Sequence, residues 1–321
     1  MRTARRVAST VIGVGLLVAS AGALAARYVP IPGHRTLYVV VASPYLLLGA
    51  PVAFLVLLWG RHKALAIGAG LLTAALVVLQ LPWYLPATSD SNEIAVRAMT
   101  VNMLYGQADP TAVVRTADDR ADIVMVQELT PDAVRYLTAA GIGKTFPHQV
   151  LDARTGSAGV GIYSRYPIAQ QERIGGYQLA MVSARLRVPE VTRDPTVLSI
   201  HLDAPWPRPI DGWQGDIAKF PTTLADVAHK ADGGAVIVGG DFNSTIDMKQ
   251  FRDLLTDGYR DAAEQAGGGR ELTYPANRRI PPFMGIDHIL TRASTATSTA
   301  TVEIAGTDHL AVIATVMVPR G

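Results

Sequence analysis

The 321-residue chain is 49% hydrophobic and 17% charged, which excludes a disordered or collagen-like polymer. It contains no cysteine, so a disulfide scaffold, a thiol nucleophile and a cysteine-ligated zinc or iron–sulfur centre are excluded as well. The net charge of +2 conceals an asymmetry: no acid precedes Asp90, so the first 89 residues are +7, whereas residues 90–321 carry 22 basic and 27 acidic residues and are −5. Three uncharged stretches, residues 7–26, 36–60 and 64–89, fill the basic end. A bilayer core of about 30 Å needs roughly 20 helical residues, so spans are expected at about 7–26, 37–60 and 64–82. Pro44 and Pro51 could kink the second span, and Trp59, Trp83 and Tyr84 fall at expected span ends, where amphipathic rings settle. Three stretches without a single acid leave no solvated face for soluble helices.

Arg2, Arg5 and Arg6 precede the first stretch, Arg27 and Arg35 lie between the first two, and Arg61, His62 and Lys63 form a tight turn before the third. The bias of basic residues toward the cytoplasm favours a cytoplasmic amino terminus. Three spans would then leave residues 90–321 as an extracytoplasmic domain of a multi-pass membrane protein. Ala23-Leu24-Ala25 also resembles a signal-peptide cleavage site, and cleavage there would not change the side on which the domain ends.

Residues 87–92 form a short polar linker. Beyond it the pattern predicts a strand over 94–101, a helix over 111–119, a buried strand over 123–127 and a helix over 132–139. Strands follow at 159–163, 179–188 and 197–200. The best helix candidate is 216–229. A short strand at 235–238 ends in Gly239-Gly240, a helical fragment covers 251–255, and late strands cover 285–290 and 310–318. Short strands mixed with helices favour a two-layer α/β fold or an α/β sandwich over an eight-fold barrel. No glycine run has the layout of a dinucleotide or phosphate loop, and Gly141-Ile142-Gly143-Lys144 reads as a helix stop.

Polar residues cluster directly after apolar runs: Asn102, Glu128, His201, Asp241 and Asn243. Asp287-His288 lies in a late strand, and Asp308-His309 precedes the last one. Taken singly, each is an ordinary cap or turn residue, and Asp241 with Asn243 suits an Asx turn. Gathered together, the carboxylates would repel one another, and a hard divalent cation with oxygen ligands would relieve that; Mg²⁺ or Mn²⁺ suits the composition better than zinc. If Asp287 and His288 share a strand they face opposite ways, and His288 then reads as structural.

The segments Thr100-Val101-Asn102, Val126-Gln127-Glu128, Ser199-Ile200-His201, Gly240-Asp241-Phe242-Asn243, Ile286-Asp287-His288 and Thr307-Asp308-His309 occur in this order. In that order they resemble the endonuclease/exonuclease/phosphatase superfamily of DNase I-like metal-dependent phosphoesterases, and residues 159–167, GVGIYSRYP, resemble its middle segment. The resemblance implies a four-layer α/β/β/α sandwich with its site at one edge of two sheets. It implies a divalent cation on Glu128, helped by Asn102 and Asp308, and a water oriented or deprotonated by Asp241. Asn243 would bind the phosphate or position Asp241, His309 would pair with Asp287 and contact phosphoryl oxygens, and His201 would add a second donor. Nuclease members often orient the first histidine with an acid; near Tyr163-Ser164-Arg165 only Asp152 and Glu172 are at hand, and neither is convincing.

A domain at −5 with no basic run longer than Arg278-Arg279 makes nucleic acid the less favoured partner. Pro205-Trp206-Pro207-Arg208-Pro209 and Trp213 are candidates for an apolar rim over the site, with a proline-stiffened surface loop as the plainer reading. The overall layout resembles the membrane phosphoesterases associated with teicoplanin resistance in actinobacteria. That likeness implies a lipid-linked phosphate or pyrophosphate of the cell envelope, such as a polyprenyl carrier. Phospholipid head-group cleavage, an extracytoplasmic nuclease and an inactive membrane-tethered binding module are the alternatives.

Overall fold

A computed structural model describes residues 2–88, 90 and 92–321. The chain divides into two compact units, one running to Pro82 and including Ile246–Arg252, the other formed by Trp83–Thr245 and Asp253–Gly321.

The first unit contains α1 (Arg2–Ala26), α2 (His34–Leu46), α3 (Gly49–Trp59) and α4 (Lys63–Gln80). Small residues let α1 and α3 approach closely: Ala50 and Ala53 are fully buried, and a Cβ on Gly60 would collide with Ser9. The stretch expected as one second span is instead two helices bent by 57°. Pro51 has no N–H to offer the Leu47 carbonyl, and the break falls at Leu47-Leu48. By length and composition two helical stretches, Thr3–Ala26 and Lys63–Tyr84, can cross a membrane, or three if the bent pair counts as one. Within this unit the Arg27 guanidinium pairs with Asp247 at 3.0 Å, and Arg252 lies over the Tyr28 ring at 5.3 Å.

The second unit begins with β1 (Glu93–Asn102), α5 (Pro110–Arg120), β2 (Ile123–Gln127), α6 (Pro131–Ala140) and α7 (Ile142–Thr145). Next come β3 (His148–Asp152), β4 (Val160–Ser164), β5 (Ile168–Arg173), β6 (Met181–Leu186), β7 (Thr196–His201), α8 (Asp211–Lys230) and β8 (Val236–Asp241). After α9 (Lys249–Arg252), which groups with the first unit, follow β9 (Arg260–Asp261), α10 (Ala262–Ala266), β10 (Asp287–Arg292), β11 (Thr295–Glu303) and β12 (Leu310–Pro319). Two six-stranded sheets form, in the orders β11-β12-β1-β2-β4-β3 and β5-β6-β7-β8-β10-β9.

The sheets pack face to face through Val96, Met125, Ile162, Val182, Ile237 and Val316, which share one buried cluster. The outer face of the first sheet, with Met99, Val124 and Val126, is covered by Val113 and Ala117 of α5 and Leu137 of α6. Helix α8 buries Trp213, Ile217, Phe220 and Leu224, with Phe220 edge-on to Phe242 at 5.9 Å. The result is an α/β sandwich with helices outside two sheets, as the motif order implied.

Local signals explain the helix ends. Asp109 and Thr130 cap α5 and α6, each ahead of a proline in the first turn, and Gly141 at φ 95° stops α6 in the left-handed region. Strand β8 runs through Gly239-Gly240 rather than ending there. A Cβ on Gly240 would overlap the Ile200 carbonyl of the paired strand, so the backbone approach itself demands glycine. Helix α8 starts at Asp211, ahead of the start that the pattern suggested, and this carries Trp213 into the core.

Because the atom in the way at Gly240 belongs to the backbone, Gly240→Ala is expected to destabilise the chain by about 2 kcal/mol or more. Thermal unfolding checks this, with a midpoint lowered by roughly 4 °C or more.

Candidate active site

Strand direction gathers the functional residues. β1 and β2 run parallel, as do β7 and β8, so Asn102, Glu128, His201 and Asp241 emerge at C-terminal strand ends. β10 runs antiparallel to β8, and β12 antiparallel to β1, so Asp287 and the Asp308-His309 pair sit where those strands begin. In register, Asp241 lies between His201 and Asp287. The two sheets meet through Asn102, whose Nδ2 donates to Asp241 Oδ2 at 3.1 Å and Glu128 Oε1 at 3.3 Å. Asn102, Glu128, His201, Asp241, Asn243, Asp287, Asp308 and His309 thus come together.

The side chains interlock. Asp287 Oδ2 accepts from His309 Nδ1 at 2.8 Å, which aims Nε2 at Asp241 Oδ2 (3.9 Å) and Asp308 Oδ1 (3.8 Å). Asn243 donates its backbone N–H to Asp241 Oδ1 at 2.8 Å. Its side-chain amide donates to the Leu202 carbonyl at 2.9 Å and faces His201 Nε2 at 3.3 Å. Glu128 Oε2 accepts from the Tyr105 N–H at 2.6 Å. Asn102, Glu128, His201, Asp241, Asp287 and His309 are buried, whereas Asn243 and Asp308 are half-buried and mark the open side. Glu128 (φ 54°), Asn243 (φ 47°), Leu104 (φ 46°) and Tyr105 (φ 53°) all adopt left-handed backbone, a cost tolerated where surrounding contacts over-determine the chain.

Charge follows from this packing. Burial alone would lower the His309 imidazole, but Asp287, then Asp241 and Asp308, hold its pKa up at about 10. Burial, reinforced by the Asp287 charge, pushes the Asp241 carboxyl up to about 7. Glu128 is likewise raised, chiefly by burial. Burial lowers His201 to about 4, so its imidazole is neutral. With Nδ1 against the Ser157 carbonyl at 3.1 Å, the ring carries its proton there and accepts from Asn243 at Nε2. His201 Nε2 also lies 3.5 Å from Asp241 Oδ2, so the ring touches both Asn243 and Asp241.

A backbone carbonyl, rather than an acid, orients His201; Asp152 pairs with Arg154 and Glu172 with Lys230. Trp213 is not part of a rim: it is fully buried, and its Nε1 donates to Ser244 Oγ at 2.9 Å. Trp206 remains largely exposed. His288 faces away from the site, as the strand alternation required, and contacts Asp261. Thr307, named in the sequence only as part of the closing segment, donates from Oγ1 to the Asn102 carbonyl at 2.8 Å. The sequence reading missed Tyr274, whose ring lies 4.9 Å from His309 and which carried no signal.

The donor set is that of a cation site. Oδ1 of Asp287 and Oδ1 of Asp308 are buried without a hydrogen-bond partner, while the Glu128 carboxylate accepts from Asn102 and Tyr105 and Asn102 Oδ1 accepts from the Leu104 N–H at 2.9 Å. Such an oxygen-rich, partly unsatisfied set fits a hard divalent cation. Ligand atoms of Asp241, Asp287 and His309 also lie within 4.8 Å of one another. The Asp287–His309 hydrogen bond accounts for part of that spacing.

His309 is protonated in the folded state up to about pH 10, against an ordinary value near 6.5, so its contribution to stability is full below 6.5 and is lost as pH rises through 10. With chelator present, the thermal midpoint of the wild type is expected to fall between pH 7 and 10 as that contribution fades. In His309→Gln that part of the decline should disappear.

Comparison with known proteins matches residues 99–309 to the model of the Endonuclease/Exonuclease/phosphatase family. Among solved structures, the endonuclease/exonuclease/phosphatase from Bacteroides vulgatus superposes with a TM-score of 0.58 at 17% identity, covering 70% of this chain and 98% of that one. TDP2 of D. rerio complexed with single-strand DNA product gives 0.56 at 18% identity, covering 71% and 99%. The 3′ phosphatase NExo from Neisseria, bound to product DNA hairpin, gives 0.53 at 19%, covering 68% and 98%. At these identities the likeness is one of fold. The curated proteins contain no match by sequence.

Proposed function

The chain belongs to the endonuclease/exonuclease/phosphatase family, and from that premise we propose that it is a membrane-anchored, divalent-metal-dependent phosphoesterase acting on a lipid-linked phosphate or pyrophosphate. The observation that carries the hydrolase reading is the buried Asp287–His309 pair facing Asp241 across the meeting edge of two sheets.

In this reading His309, held protonated by Asp287, donates from Nε2 to a phosphoryl oxygen as negative charge grows there. Asp241 orients the attacking water and takes its proton; a carboxyl raised to about 7 is well matched to that task near neutral pH. Asn243, held by His201, keeps Asp241 aimed through its backbone N–H. Mg²⁺ or Mn²⁺ held by Glu128, Asn102 and Asp308 would supply positive charge to the phosphoryl oxygens. The water oxygen bonds to phosphorus as the ester or anhydride P–O bond breaks, and the leaving oxygen accepts a proton.

Two features support an amphiphilic substrate. One is the set of apolar helices in residues 2–82, read as the anchor, with the basic turn residues on the cytoplasmic side and the domain outside. The other is the hairpin closed by Tyr274 and Met284, whose base bonds to the Asp308 carbonyl through Ala276 N–H at 2.7 Å. Its tip carries exposed Arg278, Arg279, Ile280 and Phe283, with no acid from Leu272 to Ile286. Arginines beside exposed apolar side chains match a phosphate on an apolar tail.

The test is a hydrolysis panel on the full chain in detergent: an artificial diester, an artificial monoester, DNA, a phospholipid and a polyprenyl pyrophosphate. Mg²⁺-dependent phosphate release from the polyprenyl pyrophosphate is expected, with kcat reduced by about 10²–10³ in His309→Gln and by about 10²–10⁴ in Asp241→Asn. Cleavage of DNA alone would replace this reading with the nuclease, and turnover of nothing in the panel would leave a binding module. Ile280→Ser with Phe283→Ser is expected to raise KM for the polyprenyl substrate several-fold while leaving the artificial monoester unchanged.

A further inference from the structure

The most heavily bonded imidazole outside the reacting groups is that of His288, and its partners lead back to the turn that carries Asn243. His288 Nδ1 lies 2.8 Å from Asp261 Oδ2, and its Nε2 lies 3.0 Å from the Ser244 carbonyl and 3.2 Å from the Gly285 carbonyl. These three groups are acceptors. No neutral tautomer satisfies both ring nitrogens, so the ring donates at each and is an imidazolium. Its charge is compensated by Asp261, which is itself fixed by accepting the Ala263 N–H at 2.8 Å at the start of α10.

The two carbonyls are not arbitrary ones. Ser244 directly follows Asn243, and Gly285 lies two residues before Asp287. The Phe242 N–H donates to the Ile286 carbonyl at 2.9 Å between the same two segments, and the Phe242 ring meets His288 edge-on at 5.6 Å. Asn243 has left-handed backbone at φ 47°, so the turn keeps its shape only while the peptide after it is held. The Ser244 carbonyl is the point at which that peptide is gripped, with the Trp213 indole holding the Ser244 hydroxyl from the other side.

We infer that His288, backed by Asp261, is a positioning residue that locks the Asp241–Ser244 turn to the segment leading into Asp287, and so sets the aim of Asp241 and Asn243. The inference rests on the hydrolase reading of the same site. It assigns the grip on Ser244 to Nε2 and the grip on Asp261 to Nδ1, so the two can be separated chemically. A glutamine amide occupies the place of Nε2, and an asparagine amide that of Nδ1.

The experiment measures kcat and KM of the full chain in detergent with Mg²⁺ on a water-soluble artificial phosphoester, with thermal midpoints recorded in parallel. His288→Phe, which keeps the ring against Phe242 and removes both donors, is expected to lower kcat about 10–100-fold with KM within about threefold. His288→Gln is expected to recover kcat to within about fivefold of the wild type, and His288→Asn to remain as low as the phenylalanine variant. If the phenylalanine variant fails to fold, the glutamine–asparagine pair carries the comparison. Equal kcat in those two, or a phenylalanine variant within twofold of the wild type, overturns the positioning role alone. No turnover by the wild type overturns the hydrolase reading and this inference with it.

Discussion

Carboxyl groups from both sheets are brought together at one edge, and three of them, Glu128, Asp241 and Asp287, are almost wholly removed from water. A cluster of that kind repels itself unless positive charge is built in beside it. Here the first instalment is the His309 imidazolium, bonded to Asp287 and aimed at Asp241. The remaining deficit is visible as the unsatisfied oxygens of Asp287 and Asp308, which is why the donor set suits a cation. The same lack of water raises Asp241 into the range of a useful base and strips His201 of its proton. Burial lowers both imidazoles, and only the carboxylates around His309 reverse that for one of them, although the sequence treats the two alike.

Much of the arrangement could be read before any coordinates. Central strands such as β2 and β8 are buried along their whole length and announce themselves as apolar runs. Four of the runs close on Asn102, Glu128, His201 and Asp241, which the structure brings together. The strands that escaped were β3, β5, β9 and β11, which are the four edges of the two sheets. An edge strand with one solvated side, such as Ile168–Arg173 or Thr295–Glu303, shows polar residues that resemble a loop. Contacts made by backbone atoms were equally invisible. Ser157 orients His201 with a carbonyl, and no side-chain pattern can signal that.

Glycine and proline misled for a shared reason: both are ambiguous between a break and a requirement. Gly239-Gly240 looked like the end of a strand, yet the strand passes through because a neighbouring carbonyl leaves no space for a Cβ. Pro51 looked tolerable inside one long span, yet the helix parts where its missing N–H would have been used. Trp213 was drawn to the rim by its place in a proline-rich stretch. The helix that begins at Asp211 turns it inward to hold Ser244.

Neither sheet owns the chemistry. Asn102, Glu128 and the Asp308-His309 pair come with one, His201, Asp241 and Asp287 with the other, and the side-chain bond from Asn102 to Asp241 spans the gap. A half-assembled sandwich would hold only fragments of the constellation, each with too few partners to polarise a substrate. Catalytic competence is thereby tied to the completed stacking of the two layers, and a slight slip between them would silence the protein well before the chain came apart.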